Sequence, residues 1–272
     1  MRGLFAAVGL ILIGGGAMTQ KAAAPAVKNV LLVHGAFANV ASWNKVIPQL
    51  QAKGLNVVAV SLPLTGFADD LAAARRALAT LDGPALLVGH SYGGAVITEL
   101  GSDPKVAGLV YVAAFAPNDG QVLGDLGKEF APAPGLAELK PQADGFLMLS
   151  PKGVVEDFAQ DLPVEEKQVM IATQPFTSGA IFGAKVSSAA WHKKPTWYVV
   201  AGDDRMIPPD LERSFAKQMG ATMTVISGSS HVVMLSHPKE VAGVIERAAS
   251  GAKQRGSAAR HATTLGASGT SI

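Results

Sequence analysis

The segment Gly89-His90-Ser91-Tyr92-Gly93 constrains this chain more than any other. An apolar run, Ala85-Leu86-Leu87-Val88, precedes it, and a helix-like stretch, Ala95-Val96-Ile97-Thr98-Glu99-Leu100, follows. A strand, a G-x-S-x-G turn and a helix in that order make a nucleophile elbow. Glycine lacks a Cβ, so the chain can reverse sharply there and the helix can pack close behind the serine. Ser91 is left at the apex with its hydroxyl clear of the sheet. The five-residue string alone recurs by chance; its flanking elements are what give it weight.

The 272 residues suffice for one α/β domain with a sizeable insertion and a substantial core. Hydrophobic residues make up 49% and charged residues 16%, with a formal net charge of +2 and an isoelectric point near 8.8. Nothing resembles a basic stripe, which argues against nucleic acid as a partner. Cysteine is absent, which excludes disulfides, thiolate catalysis and Cys-ligated metals.

The two ends read differently from the middle. Met1-Arg2 opens an apolar run from Gly3 to Ile13 that leaves through Gly14-Gly15-Gly16-Ala17. A basic start, an apolar centre and a small-residue exit resemble a secretory signal, with Gly15-x-Ala17 as the cleavage site. The run falls short of the ~20 residues that a membrane span requires. Residues 1–26 are therefore expected to be a signal or disordered segment. The protein would be periplasmic or secreted if the signal is real, and cytoplasmic if Met18 is the true start. Residues 251–272 are rich in Gly, Ala, Ser and Thr and lack periodicity, so a disordered tail is expected there.

Between the ends, strands are expected at Val30–Val33, Val57–Val60, Ala85–Val88, Leu109–Ala113, Thr196–Ala201 and Met223–Ile226. Their near-continuous apolar character, with helices between them, implies a mostly parallel sheet flanked by helices on both faces. Helices are expected at Trp43–Lys53, Ala68–Leu81, Pro209–Met219 and Pro238–Ala249, the third with Leu211, Phe215 and Met219 on one buried stripe. Residues 117–191 break the rhythm with many Pro and Gly. They are too long for a simple connection, and they read as a lid over the carboxyl edge of the sheet, where open α/β folds bind ligands. The core is then 27–116 plus 192–250.

A serine hydroxyl needs a base, and the base needs an orienting acid. Elbow enzymes supply them in the order Ser, acid, His. His231 lies in a small-residue loop, Ser227-Gly228-Ser229-Ser230-His231, after the last expected strand; His237, beside Pro238, is a poorer candidate. The acid belongs in Gly202-Asp203-Asp204-Arg205-Met206-Ile207-Pro208. Asp204 has D-x-x-x-P spacing, Asp203 is the near neighbour, and Asp119 is a distant third. An oxyanion hole would come from the backbone N–H groups of Ala36, in His34-Gly35-Ala36-Phe37, and of Tyr92. His34 and His90 are expected to shape these turns. No H-x-x-H cluster suggests a metal, and no Gly-rich loop has the setting of a dinucleotide site.

Taken together, His34-Gly35-Ala36, Gly89-His90-Ser91-Tyr92-Gly93-Gly94, Asp204-Arg205-x-Ile207-Pro208 and Gly228-x-x-His231 make the chain, over about Val27–Ala249, resemble an α/β-hydrolase. With Phe146-Leu147-Met148-Leu149-Ser150 in the insertion, it is similar to the branch that holds plant small-ester esterases, hydroxynitrile lyases and many bacterial hydrolases. The resemblance implies that the usual two leading antiparallel strands are missing. The lyases carry Thr in the oxyanion turn and Lys after the histidine, where this chain has Gly35 and Val232, so the resemblance favours hydrolysis. Ser91 also stands where dehalogenases and epoxide hydrolases of this fold use Asp. The reading that follows is a cofactor-free serine esterase for small, mainly apolar carboxylic esters, with Ser91, His231 and Asp204 as triad. The alternatives are a perhydrolase or lactonase on the same residues, or a non-catalytic small-molecule binding protein. The apolar residues Phe146, Leu147, Phe176, Phe182 and Trp191 point to an uncharged substrate. Nothing in the sequence sets the oligomeric state.

Overall fold

A computed structural model describes residues 27–265, with side chains to Ala252; the signal expected in residues 1–26 lies outside the described residues, as do residues 266–272. Six strands form one wholly parallel sheet: β1 (Asn29–Val33), β2 (Asn56–Val60), β3 (Ala85–Ser91), β4 (Val106–Ala114), β8 (Thr196–Ala201) and β9 (Thr222–Ile226), in the order β2-β1-β3-β4-β8-β9. All six expected strands are present. Among the described residues the sheet begins at β1, with no antiparallel strand joined to it. Every residue of β1 and β3 is buried, as central strands covered on both faces must be. The edge strands β2 and β9 are partly exposed.

The helices are α1 (Ile47–Ala52), α2 (Phe67–Ala79), α3 (Gly93–Leu100), α4 (Pro151–Gly153), α5 (Val164–Thr173), α6 (Pro209–Gln218), α7 (Val233–Ser236) and α8 (Pro238–Leu265). Helices α2 and α3 pack together, as do α1 and α8, and these pairs flank the sheet. Two helical expectations need correction. The single helix expected at Trp43–Lys53 is a 3-10 turn, Val40–Trp43, followed by α1. Pro48 has no N–H and is tolerated only in the first turn, so the helix cannot reach back past it. The last helix does not stop at Ala249; its backbone continues to Leu265 through residues expected to form a disordered tail. That stretch holds Ala252, Lys253, Gln254, Arg255, Ala258 and Ala259, all strong helix formers, so a packed N-terminal half can propagate through it. No helix among the described residues is long and apolar enough to cross a membrane.

Residues 117–191 lie between β4 and β8. They form a small antiparallel sheet, β5 (Leu139–Pro141), β6 (Phe146–Leu149) and β7 (Thr177–Ser178), together with α4, a π-helical turn at Val154–Phe158, and α5. The strand order reverses direction around β1 and β3. The crevice at their carboxyl ends is where a doubly wound sheet leaves room for a ligand, and that is where the elbow stands.

Candidate active site

Ser91 ends β3 in the left-handed region, at φ +52, a conformation that costs energy in any residue but glycine. Its neighbours make the turn sterically feasible. A Cβ on Gly89 would lie 2.6 Å from the Gly93 carbonyl oxygen, and one on Gly93 would lie 2.7 Å from the carbonyl oxygens of Val33 and His34. A Cβ on Gly94 would collide with the carbonyl oxygen of Phe115. Helix α3 therefore starts directly behind the serine. From the other side, a Cβ on Gly35 would stand 2.6 Å from the Cβ of Ser91, so the loop after β1 touches the serine itself.

That loop is held from behind. His34 Nε2 accepts the Leu62 N–H at 2.9 Å, which puts its proton on Nδ1, where it donates to the Gly35 carbonyl at 2.9 Å. Burial lowers its pKa from 6.5 to about 4, so the ring is neutral near pH 7. The Tyr92 hydroxyl donates to Asp70 Oδ2 at 2.7 Å, and Asp70 Oδ1 accepts the Leu64 N–H at 2.7 Å. The side chain after the nucleophile is thereby fixed to α2. Among the described residues, neither the Ala36 nor the Tyr92 backbone N–H has a protein acceptor, and both residues line one cavity with Ser91 and His231.

Asp204 and His231 are both buried, joined by a 2.6 Å contact between Asp204 Oδ2 and His231 Nδ1. Asp204 Oδ1 accepts the N–H groups of Met206 at 2.6 Å and Ile207 at 2.9 Å. A carboxylate bonded in this way orients the imidazole with its proton on Nδ1 and leaves Nε2 toward the cavity. Asp203 is exposed, and Asp119 accepts the Ala189 N–H at 2.5 Å; neither meets the histidine. His237 contacts Ser236 instead. Ser91 and His231 share the cavity, but no hydrogen bond joins them among the described residues.

Several supports carry no motif. His90 Nε2 donates to the His231 carbonyl at 3.0 Å, with the two rings 4.7 Å apart; burial, and then His231, hold its pKa well below the usual value. The Phe158 ring lies 5.1 Å from His231. The insertion grips both loops: Asp157 pairs with Arg205 Nε at 2.6 Å, Gln160 donates to the Asp203 carbonyl at 2.7 Å, and Asp161 accepts the Ser230 N–H at 2.8 Å. Glu212 on α6 is fully buried beside Asp204; its Oε2 accepts the Ala201 N–H at 3.1 Å, and Oε1 has no partner. Burial first and Asp204 second push its pKa well up, which favours Glu212 as a neutral acid. The one signal for Glu212 in the sequence is a carboxylate directly after Leu211 of the apolar stripe.

Two outcomes follow from these buried groups. The folded chain binds a proton on His34 less readily than the unfolded chain, so this residue's stabilisation is complete above about pH 6.5 and lost as pH falls toward 4. The loss amounts to about 3 kcal/mol at most. Urea unfolding across that window should fall less steeply for His34→Gln than for the parent chain, and equal slopes would contradict it. Glu212→Gln keeps the acceptor for Ala201 and should cost less stability than Glu212→Leu. Glu212→Leu strands that N–H and should cost about 1–3 kcal/mol.

The profile of the alpha/beta hydrolase family matches residues 30–244. Methylesterase 7 of Arabidopsis thaliana is 25% identical, over 80% of this chain and 95% of the relative. A pyrethroid hydrolase of Sphingobium wenxiniae is 27% identical, over 80% and 86%. Among solved structures, a pyrethroid hydrolase from Sphingobium faniae superposes with a TM-score of 0.70 at 26% identity, covering 82% of this chain and 97% of that one. Polyneuridine aldehyde esterase shares the fold, with a TM-score of 0.70 at 22% identity, covering 80% and 97%. With the profile spanning most of its length, the chain belongs to the alpha/beta hydrolase family.

Proposed function

We propose that this chain is a serine hydrolase that cleaves small, mainly apolar carboxylic esters through an acyl-enzyme. The observation that carries the reading is the buried 2.6 Å contact between Asp204 Oδ2 and His231 Nδ1, opening on the cavity that Ser91 also lines. The names of the relatives, methylesterase and pyrethroid hydrolase, support ester chemistry within the family.

In this mechanism Ser91 Oγ attacks the ester carbonyl while His231 Nε2 takes its proton. Catalytic hydrogen bonds commonly tighten only once substrate is bound, which fits a serine and histidine that share a cavity without yet touching. The imidazolium is stabilised by Asp204, and the Ala36 and Tyr92 N–H groups receive the charge on the carbonyl oxygen. His231 returns the proton to the departing alcohol. Water, deprotonated by the same nitrogen, then attacks the acyl-enzyme and releases the acid and Ser91. The insertion acts as a lid: Leu136, Leu139, Phe158 and Phe182 line the cavity and exclude water.

A panel of p-nitrophenyl esters of increasing acyl length tests this. The parent chain should turn over the short members. Ser91→Ala should lose activity to background, and Asp204→Asn should lose on the order of 10⁴-fold in kcat. Asp203→Asn should stay within about threefold, since its exposed side chain does not meet His231 and the backbone contacts of the loop are kept. Activity that survives Ser91→Ala would overturn the reading.

A further inference from the structure

The cavity shared by Ser91 and His231 is only about 40 Å³. A pocket that houses one benzene ring is about 150 Å³. The inner chamber therefore takes the reacting carbonyl and one very small substituent. Beside it lies a second cavity of about 390 Å³, walled by Ala38 and Ala41 from the segment after β1, Val169 and Met170 from α5, and Leu235 from α7. Its volume suits a two-ring or medium-chain apolar group. Among its lining residues Lys45 and Glu166 pair at 2.7 Å. Asn39 ties the same helix down by donating to the Thr173 carbonyl at 3.0 Å.

Phe37 is the one residue that lines both cavities. It directly follows Ala36, so its ring stands one residue from the proposed oxyanion donor. Its backbone is left-handed, at φ +59, and its N–H donates to the buried Thr177 Oγ1 of β7 at 3.1 Å. The backbone is thus fixed at the place where the two spaces meet.

Resting on the serine-hydrolase reading, we propose that the larger cavity is the subsite for the bulky apolar group of the substrate, with the Phe37 side chain as the partition that the substrate displaces to reach Ser91. The substrate class is then an ester with one very small group and one large apolar group. An ester bulky on both sides is excluded by the inner chamber.

The test fills the outer cavity at a site remote from Ser91. Val169 is 62% exposed, so Val169→Trp should fold, and Ala41→Trp fills the same space from the opposite wall. Hydrolysis of methyl acetate, octyl acetate and methyl octanoate is followed by pH-stat in both variants and the parent. At least one long-to-short ratio of kcat/KM should fall by about tenfold or more in each variant. In a Ser91→Ala background, which binds without turnover, the same substitutions should weaken calorimetric binding of the affected long ester by a similar factor. Phe37→Ala should raise kcat/KM for octyl benzoate, bulky on both sides, by about tenfold relative to methyl acetate. Ratios and binding unmoved in both tryptophan variants, while a fluorophosphonate still labels Ser91, would overturn the subsite and leave the serine-hydrolase reading standing. A parent chain that neither labels nor hydrolyses any ester would remove both.

Discussion

The structure turns on how closely backbones approach around Ser91. Loop, strand and helix meet at distances that leave no space for a Cβ at Gly35, Gly89, Gly93 or Gly94. That contact lets Ser91 occupy a left-handed conformation at the end of a buried parallel strand. It also brings Ala36 and Tyr92 to one small cavity. The strain at Ser91 is sustained because β1, β3, β4 and α3 all fix it, as conformational strain at a functional site requires.

Around this turn, a layer of buried polar groups sets the positions of Ser91, Asp204 and His231. Each is neutral or matched. His34 is held neutral by burial, His90 faces a carbonyl, and Asp70 takes the Tyr92 hydroxyl. Glu212 is held protonated beneath Asp204, which keeps two buried carboxyl groups from ionising side by side. The insertion adds to the arrangement through Asp157, Gln160 and Asp161, which hold the Asp204 and His231 loops.

Much of this was legible in the sequence because local rules coincide with the fold. Apolar runs between helical segments marked all six strands of the sheet, and D-x-x-x-P spacing separated Asp204 from Asp203. What was not legible depends on tertiary contact. The insertion strands β5–β7 are short and partly polar, so no period marks them. The reach of His90 to the His231 carbonyl spans 141 positions of sequence, and nothing local announces it. Glu212 reads as an ordinary exposed helix residue until the packing of α6 on β8 buries it. The helix expected from Trp43 failed for a local reason, Pro48, whose missing N–H outweighed the apolar pattern.

The central claim is that Ser91 is made nucleophilic by this assembly and by nothing else in the chain. Peptide mass spectrometry after exposure of the folded protein to a fluorophosphonate tests it most directly. The account predicts a single phosphonyl adduct on Ser91, absent from denatured protein and from His231→Ala. A folded chain that stays unmodified, or that carries the adduct on another residue, would contradict it.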